Sequence, residues 1–295
     1  MFIKRIQSLL RYSTVIIIFL NLGFQHVQAS DFLSVKLYGG GTYMSGGDLN
    51  AGLEGNSNMY LDLARLFLYD VSGGFKPAKL GLEFGGDFIF QITPTFGIGI
   101  GSKFIQASKK STMVFTSIYE TVKQSTKPQY NATSMNMGLF FTMPVSRTFK
   151  MVVNGGAGYY LARANSLWNL DTGGISLELS TDVKAHGFGI TGGISFEFKT
   201  GRLISFFVEC SGRYAKIGKF NGTGTEKSDG YSKTISGKLY YFETQNWSND
   251  RYYPDIFVFD PLAPPINPPS LSNMREAKID YSGVSINLGL IIHIL

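Results

Sequence analysis

The sequence predicts an all-β fold, a transmembrane antiparallel up-and-down β-barrel of about eight strands. Three observations lead to this prediction: a secretory signal at the N-terminus, repeated segments that alternate apolar with small or polar residues, and connections that alternate between short and long. The composition agrees, because only 16% of the 295 residues are charged while 14% are aromatic and 35 are glycine. A disordered chain would instead combine low hydrophobicity with high charge.

The first thirty residues have the parts of a secretory signal. An apolar run at 15–24 is too short to span a bilayer as a helix, and short side chains at Val27 and Ala29 predict cleavage between Ala29 and Ser30. The positive region before that run holds Lys4, Arg5 and Arg11. We therefore expect a cleaved signal peptide at 1–29 and a single barrel domain at 30–295.

Removal of the signal lowers the formal net charge from +6 to +3, so part of the basic character belongs to the signal. The remaining charge forms no footprint for nucleic acid, and we expect no nucleic-acid partner. Cys210 is the only cysteine, which excludes an intramolecular disulfide and a paired-cysteine metal or redox motif.

Eight segments of the mature chain have the alternation of lipid-facing barrel strands. In the second of them Phe84 and Phe88 share one side while Glu83 and Asp87 share the other. The eight predicted strands are 32–44, 79–91, 95–108, 131–143, 149–162, 183–199, 203–214 and 278–295.

The links between these strands alternate in length. Short links at 92–94, 144–147 and 200–202 separate long ones, which lie at 45–78, 109–130, 163–182 and 215–277. Short periplasmic turns and long extracellular loops are the layout of outer-membrane barrels, so we expect the outer membrane of a Gram-negative bacterium as the location.

With this signal, this strand pattern and a final strand over 285–295, the mature chain resembles the small eight-stranded outer-membrane barrels, the group of the OmpA transmembrane domain, OmpX and OmpW. The resemblance implies a lipid-embedded barrel, and we expect a monomer. It implies no cofactor.

The last long link leaves the strand count open between eight and ten, because 231–243 and 251–260 are strand-like. We expect a hairpin above the membrane, since Lys233, Lys238 and Pro254 suit lipid depth poorly. In the first long link, 58–71 fits a short helix on the rim or a strand extension. Eight loop aromatics either form a binding surface or pack together over the barrel mouth: Tyr240, Tyr241, Phe242, Trp247, Tyr252, Tyr253, Phe257 and Phe259.

Six charged residues fall on the inward side of the predicted strands, where isolated charges are costly and pairs are expected. They are Lys36, Glu83, Asp87, Lys103, Glu209 and Arg213. Because eight strands enclose little more space than side chains fill, we expect a polar plug, with a narrow channel gated by ion pairs as the alternative.

The sequence predicts no enzyme, no metal site and no bound cofactor. His26 leaves with the signal, and His186 is followed by Gly187 and Phe188, so the His-x-Ser motif of barrel deacylases is missing. No GxSxG occurs. The GxGxxG match at 187–192 lies inside a strand, where it does not serve a dinucleotide.

We therefore expect a structural or surface-interaction barrel with a plugged lumen. Its partners would be the lipid and lipopolysaccharide of the outer membrane, and an extracellular ligand or host surface reached by the loops. Four lysines of the second long link are placed to meet lipopolysaccharide phosphates or to be solvated: Lys109, Lys110, Lys123 and Lys127. The alternative function is a narrow pore for small or hydrophobic solutes.

Overall fold

The computed structural model describes residues 32–246, 250–260 and 270–294. Within these ranges lie one helix and sixteen strands. In chain order they are β1 (Leu33–Met44), α1 (Asp48–Leu66), β2 (Asp70–Gly73), β3 (Leu80–Thr93), β4 (Phe96–Ser108), β5 (Ser111–Thr116), β6 (Thr121–Pro144), β7 (Phe149–Asp171), β8 (Ser176–Lys199), β9 (Ile204–Tyr214), β10 (Lys216–Ile217), β11 (Asn221–Ser228), β12 (Tyr231–Asn246), β13 (Arg251–Phe259), β14 (Leu271–Glu276), β15 (Ile279–Asp280) and β16 (Gly283–Ile294).

Eight of the described strands close into an antiparallel ring. Following the hydrogen-bonded pairs, the ring runs β1, β3, β4, β6, β7, β8, β9, β16 and back to β1. The predicted count of eight barrel strands is therefore confirmed, and the strand-like segments of the last long link lie outside the ring. Closure leaves no unpaired edge in the barrel wall, which is the condition for a sheet to lie in lipid.

The outward face of the ring is apolar, as the alternation predicts. Met137, Phe188 and Ile286 point outward with 69%, 78% and 64% of their surface exposed. Aromatic pairs stand at both edges of this apolar band: Phe149 lies 5.0 Å from Phe198 at the end with short turns, and Tyr159 lies 5.2 Å from Phe188 toward the end with long loops, measured between ring centroids. Aromatic rows at two levels are typical of membrane barrels.

Three barrel strands are longer than predicted. β6, β7 and β8 have 24, 23 and 24 residues, so much of 109–130 and 163–182 is strand and the prediction of loops there is wrong. Beyond the apolar band the outward face of these strands becomes polar, while the inward face carries buried apolar residues such as Tyr130 and Val183, so the apolar-outward alternation is lost. The ladder continues nonetheless, because pairing needs only backbone groups: Lys123 still lies opposite Asp171.

The long-loop end carries a cap. β11, β12 and β13 extend the sheet from the upper half of β8, and β12 also pairs with β14. The predicted hairpin of 231–243 with 251–260 is confirmed as β12 and β13. α1 lies against β13, where Gly52 and Gly55 allow close contact with Ile256 and Pro254.

The cap corrects the prediction for 58–71. The helix begins at Asp48, ten residues earlier, and the alternative of a strand over this segment is wrong except at β2. Helix α1 is tied to the barrel by Asn50, whose side-chain oxygen accepts hydrogen bonds from Tyr130 Oη and from the Ala78 amide. Within the described residues, no helix combines the length and apolar character needed to cross a bilayer.

Some predictions fall on residues outside the described ranges. The cleavage between Ala29 and Ser30 is one of them and stays a prediction. The predicted place of Trp247 among the loop aromatics is another. The last barrel strand begins at Gly283 rather than at 278, because Ile279 and Tyr281 turn into the barrel and pack in its interior.

Candidate functional site

The interior of the barrel contains all six predicted inward charges: five of them form two separate groups, and Asp87 belongs to neither. The first group is a pair: Lys36 of β1 donates a hydrogen bond to Glu209 Oε2 of β9, and both are nearly solvent-free. Asn154 Nδ2 donates to the same carboxylate oxygen at 2.9 Å. The Lys36 ammonium also lies 4.5 Å from the ring centroid of Phe207 and 5.6 Å from that of Tyr38. Burial of this cation is thus compensated by a carboxylate and by aromatic faces.

Glu83 of β3 is the centre of the second group. Its Oε2 accepts hydrogen bonds from Arg213 Nη1 at 2.6 Å and from Ser285 Oγ at 2.9 Å, while Oε1 accepts from Asn287 Nδ2 at 3.1 Å. Lys103 Nζ lies 3.7 Å from Oε1. One fully buried carboxylate therefore faces two cations and two neutral donors.

Arg213 satisfies its remaining donors around the same carboxylate. Its Nε donates to the Tyr281 carbonyl at 2.7 Å and its Nη2 to Thr42 Oγ1 at 2.7 Å. The guanidinium thus connects β9 to β1 and to the segment before β16. Because all of its partners come from different strands, the group fixes the relative register of the ring.

Asp87 is the one predicted inward charge that has no ion pair within 4.0 Å among the described residues. It lines a small cavity of about 40 Å³, together with Lys36, Lys103 and Glu209. At about 10–15 Å³ per water, this space holds about three water molecules and no larger solute. Water in the cavity is the natural partner for the half-buried Asp87 carboxylate.

A third polar cluster at the short-turn end was not predicted. Ser34 Oγ lies 3.2 Å from His293 Nδ1, and Ser205 Oγ lies 2.8 Å from His293 Nε2. Glu197 Oε1 is 3.3 Å from the same Nε2 and 3.8 Å from Lys150 Nζ. The sequence pattern placed His293 near this end of its strand but gave no sign that β8 and β9 would bring an acid and a serine to it.

This serine, histidine and glutamate do not form a nucleophilic triad. Ser205 and Glu197 share Nε2, whereas Ser34 and Glu197 lie on opposite imidazole nitrogens. Ser34 is buried, so its hydroxyl is not accessible to a substrate. Ser205 is also fully buried. The cluster connects β1, β8, β9 and β16 across the lumen and closes its short-turn end.

The outer half of the lumen is filled by apolar side chains. Tyr160, Ile105 and Val183 from the wall are fully buried, and so are Ile217 of β10 and Ile279 of β15, which form a two-stranded ribbon inside the barrel. Sequence reasoning missed this ribbon because β10 lies at the start of the predicted link 215–277, while β15 falls within the predicted last barrel strand, 278–295. The apolar positions at 215, 217 and 220 are the signal that could have revealed it.

Glycine on β8 makes room for the ribbon. A Cβ at Gly189 would lie 2.8 Å from Ala215 Cβ and 2.8 Å from Tyr160 Cε2, which is too close for any side chain. The glycine repeat at 187–192 thus serves packing. No cluster of three or more histidine, cysteine or acidic side chains suited to a metal ion occurs among the described residues.

The loop aromatics that the structure describes pack on one another. Phe259 lies 5.9, 5.7 and 5.5 Å from the ring centroids of Tyr240, Phe242 and Phe257. Arg275 stands over the ring of Tyr241 at 4.3 Å. Of the two interpretations of these residues, the structure supports the cap for this group.

The closed ring, the apolar outer face and the polar side chains of the interior define the class: the fold is that of an outer-membrane β-barrel. Among solved structures, the outer membrane protein OprG from Pseudomonas aeruginosa matches with a TM-score of 0.33 and 11% sequence identity, over 90% of this chain and 98% of that chain. No protein-family model and no curated protein matches this chain.

Proposed function

We propose that this protein is an outer-membrane barrel that is closed to solutes and acts through the domain at its long-loop end. The apolar outward band between two aromatic rows supports the membrane location. In that location the short turns face the periplasm and the cap faces outside. The finer assignment to the group of the OmpA transmembrane domain, OmpX and OmpW belongs to this proposal and rests on the strand pattern.

One observation carries the closed state: the apolar cluster across the outer half of the lumen. Tyr160, Ile217 and Ile279 leave no exposed surface inside it, and α1 with β13 covers it from above. Protein interiors packed in this way contain no continuous water path. The Lys36–Glu209 ion pair would be able to gate a channel only if the outer half of the lumen were open as well.

The closed state is tested by single-channel recording on the refolded protein in a planar bilayer, with Glu209→Ala beside it. We expect no conductance steps from either protein, because the substitution leaves the apolar cluster intact. Refolding is checked by a change in gel mobility on boiling. A porin of known conductance, recorded in the same bilayer, shows that insertion occurred.

Reproducible steps from the native protein, changed in size by Glu209→Ala, would overturn the closed state. They would instead establish the second candidate, a narrow pore for small solutes. The observation that favours this candidate is the small cavity that Asp87 lines together with Lys36, Lys103 and Glu209.

Apolar tips on the cap support a role in surface interaction. Leu68, Ile118 and Tyr119 are 89%, 89% and 90% exposed, and Tyr69 Oη donates to Glu120 Oε1 at 2.5 Å, which holds the two tips together. Exposed apolar groups clustered in this way are typical of contact surfaces. Burial of both serines beside His293, Ser34 and Ser205, argues against a hydrolase.

A further inference from the structure

Beyond the apolar band, the outward face of the long strands has a polar groove. The groove has a volume of about 330 Å³ and lies across β6, β7, β8 and β11. Its lining includes Lys127, Gln129, Arg163, Asn165, Asp182 and Thr223. It opens on the side of the wall that faces the surrounding lipid, not toward the lumen, because these residues share the parity of the lipid-facing side chains of their strands.

The groove begins directly at the edge of the lipid-facing surface. On β7, Leu161 is 52% exposed on that surface and Arg163 is the next residue of the same face, about 7 Å further along at about 3.3 Å per residue. On β8, Lys184 lies on the same face as exposed Phe188, four residues away, with exposed His186 between them. Arg163 and Lys184 are opposite each other in the ladder. The cations therefore stand at the depth where lipid acyl chains give way to headgroups.

Positive charge is concentrated around this groove. Within the part of the chain that the structure describes, no carboxylate lies within 4.0 Å of the ammonium groups of Lys109, Lys110, Lys127 or Lys184. Lys109 and Lys110 follow β4 near the groove, where the Lys109 amide donates to the Pro128 carbonyl at 3.3 Å. Two cations directly opposite each other in a ladder repel, so Arg163 and Lys184 favour an anion between them.

Arg163 is held in place by Asp182. Its Nε and Nη2 donate to the two carboxylate oxygens at 2.8 and 2.5 Å. These hydrogen bonds lower the pKa of Asp182, so that its carboxylate remains charged. The carboxylate orients the guanidinium and leaves Nη1 without a hydrogen bond among the described residues. With Asp182 as the acid against Lys127, Arg163 and Lys184, the cluster keeps a net positive charge.

We propose that this groove binds the phosphorylated headgroup of an outer-leaflet glycolipid, with Lys127, Arg163 and Lys184 as the phosphate ligands and with the acyl chains on Leu161 and Phe188. The proposal rests on the proposed membrane location. A lipid is favoured over a free phosphate because the cations continue directly into the lipid-facing apolar surface. Lys109 and Lys110 add long-range attraction to anionic headgroups.

The test measures binding of diphosphorylated lipid A to the refolded full-length mature protein in neutral detergent micelles. The reference ligands are dephosphorylated lipid A and inorganic phosphate. The variants are Lys127→Gln with Lys184→Gln, Asp182→Asn, and the control Lys233→Gln, an exposed lysine on β12 away from the groove. Each variant must keep the gel-mobility change on boiling that shows a folded barrel.

We expect the double lysine variant to lose about 10- to 30-fold in affinity for the diphosphorylated lipid, since each cation near an anionic headgroup contributes about a factor of five. Asp182→Asn should bind more tightly, because it removes the competing anion. Lys233→Gln should equal the native protein. Dephosphorylated lipid A should bind equally weakly to all four.

Two results would overturn the proposal. One is equal affinity of the native protein and the double lysine variant for the diphosphorylated lipid. The other is binding of inorganic phosphate with the same affinity and the same loss, which would make this a free-anion site. The proposed membrane location is tested separately, by insertion of the native protein into phosphatidylcholine vesicles. A native protein that does not insert would overturn the membrane location, whatever it binds in micelles.

Discussion

Arg213 and Glu83 are 130 residues apart in the chain and meet inside the barrel, where Arg213 Nη1 donates to Glu83 Oε2 over 2.6 Å. Both side chains are almost completely buried. Removal of either partner should strongly destabilise the fold, because a buried charge without compensation costs several kcal/mol of folding free energy. The pair therefore makes the polar interior of the barrel sensitive to single substitutions.

Replacing Glu83 by alanine should destabilise the barrel by about 3–5 kcal/mol, since Arg213 would remain buried without its carboxylate. The measurement is denaturant unfolding in detergent, followed by the gel mobility of unboiled samples. Glu83→Leu combined with Arg213→Met should recover part of the loss, because it removes the Arg213 charge, while Lys103 still loses its carboxylate. A single variant as stable as the native protein would show that the interior admits enough water to solvate Arg213.

A lysine on the lipid-facing band should be costly, whereas one beyond the band should not. Met137 and Gln129 lie on the same face of β6, eight residues apart, and Met137 is 69% exposed. In a bilayer, Met137→Lys should lose about 2–4 kcal/mol of folding free energy and Gln129→Lys less than about 0.5 kcal/mol. Refolding into phosphatidylcholine vesicles against urea measures both. Equal losses of folding free energy in the two variants would contradict the assignment of Met137 to the lipid-facing band and of Gln129 to the region beyond it.

Close packing of α1 on β13 depends on Gly55. A Cβ there would overlap the carbonyl oxygen of Pro254 and lie 2.8 Å from its nitrogen. Alanine favours helix over glycine by about 0.5–1 kcal/mol, yet Gly55→Ala should destabilise the cap by about 1–3 kcal/mol because the backbone contact cannot relax. Hydrogen exchange of the α1 amides reports the change.

The matched control for that contact is Asn58→Ala, an exposed position on the same helix. It should slow hydrogen exchange slightly, since alanine is the better helix former and no contact is disturbed. Slower exchange in Gly55→Ala as well would mean that the helix is not pressed against β13.

The stability of the cap should fall as pH rises through the range above the ordinary carboxyl pKa. Burial beneath α1 raises the pKa of Asp255, although hydrogen bonds from the Ile256 amide and from Asn56 oppose the shift. At low pH the carboxyl is neutral in both states. As pH increases, the unfolded chain ionises first, so the folded cap loses stability until the pH passes the raised value.

Asp255→Asn should abolish this pH dependence and raise cap stability at neutral pH, because the amide oxygen can accept the same two hydrogen bonds. Tryptophan fluorescence during urea titration measures it, since Trp168 packs against the cap cluster of Ala64, Phe75, Met113 and Phe115. An unchanged pH profile in the variant would assign the effect to another group.

Strand number, strand order and the outward face could be predicted from the sequence. Each depends on local information: whether a side chain such as Met137 or Ile286 faces lipid is decided by its parity in its own strand, and a turn such as 200–202 is visible as a break in that alternation. The six inward charges followed from the same parity. The upper halves of β6, β7 and β8 were missed because their outward face is polar, so the apolar-outward alternation that marks the lower halves stops there.

The sequence by itself determined which residues point into the barrel, because a two-residue period needs no knowledge of other strands. The tertiary structure decided which of them meet: Glu83 with Arg213 and Lys103, Lys36 with Glu209, and His293 with Ser205 and Glu197. It also decided that Ile217 and Ile279 fill the outer lumen. These contacts join strands distant in the chain, and their partners are fixed by the stagger between strands when the ring closes.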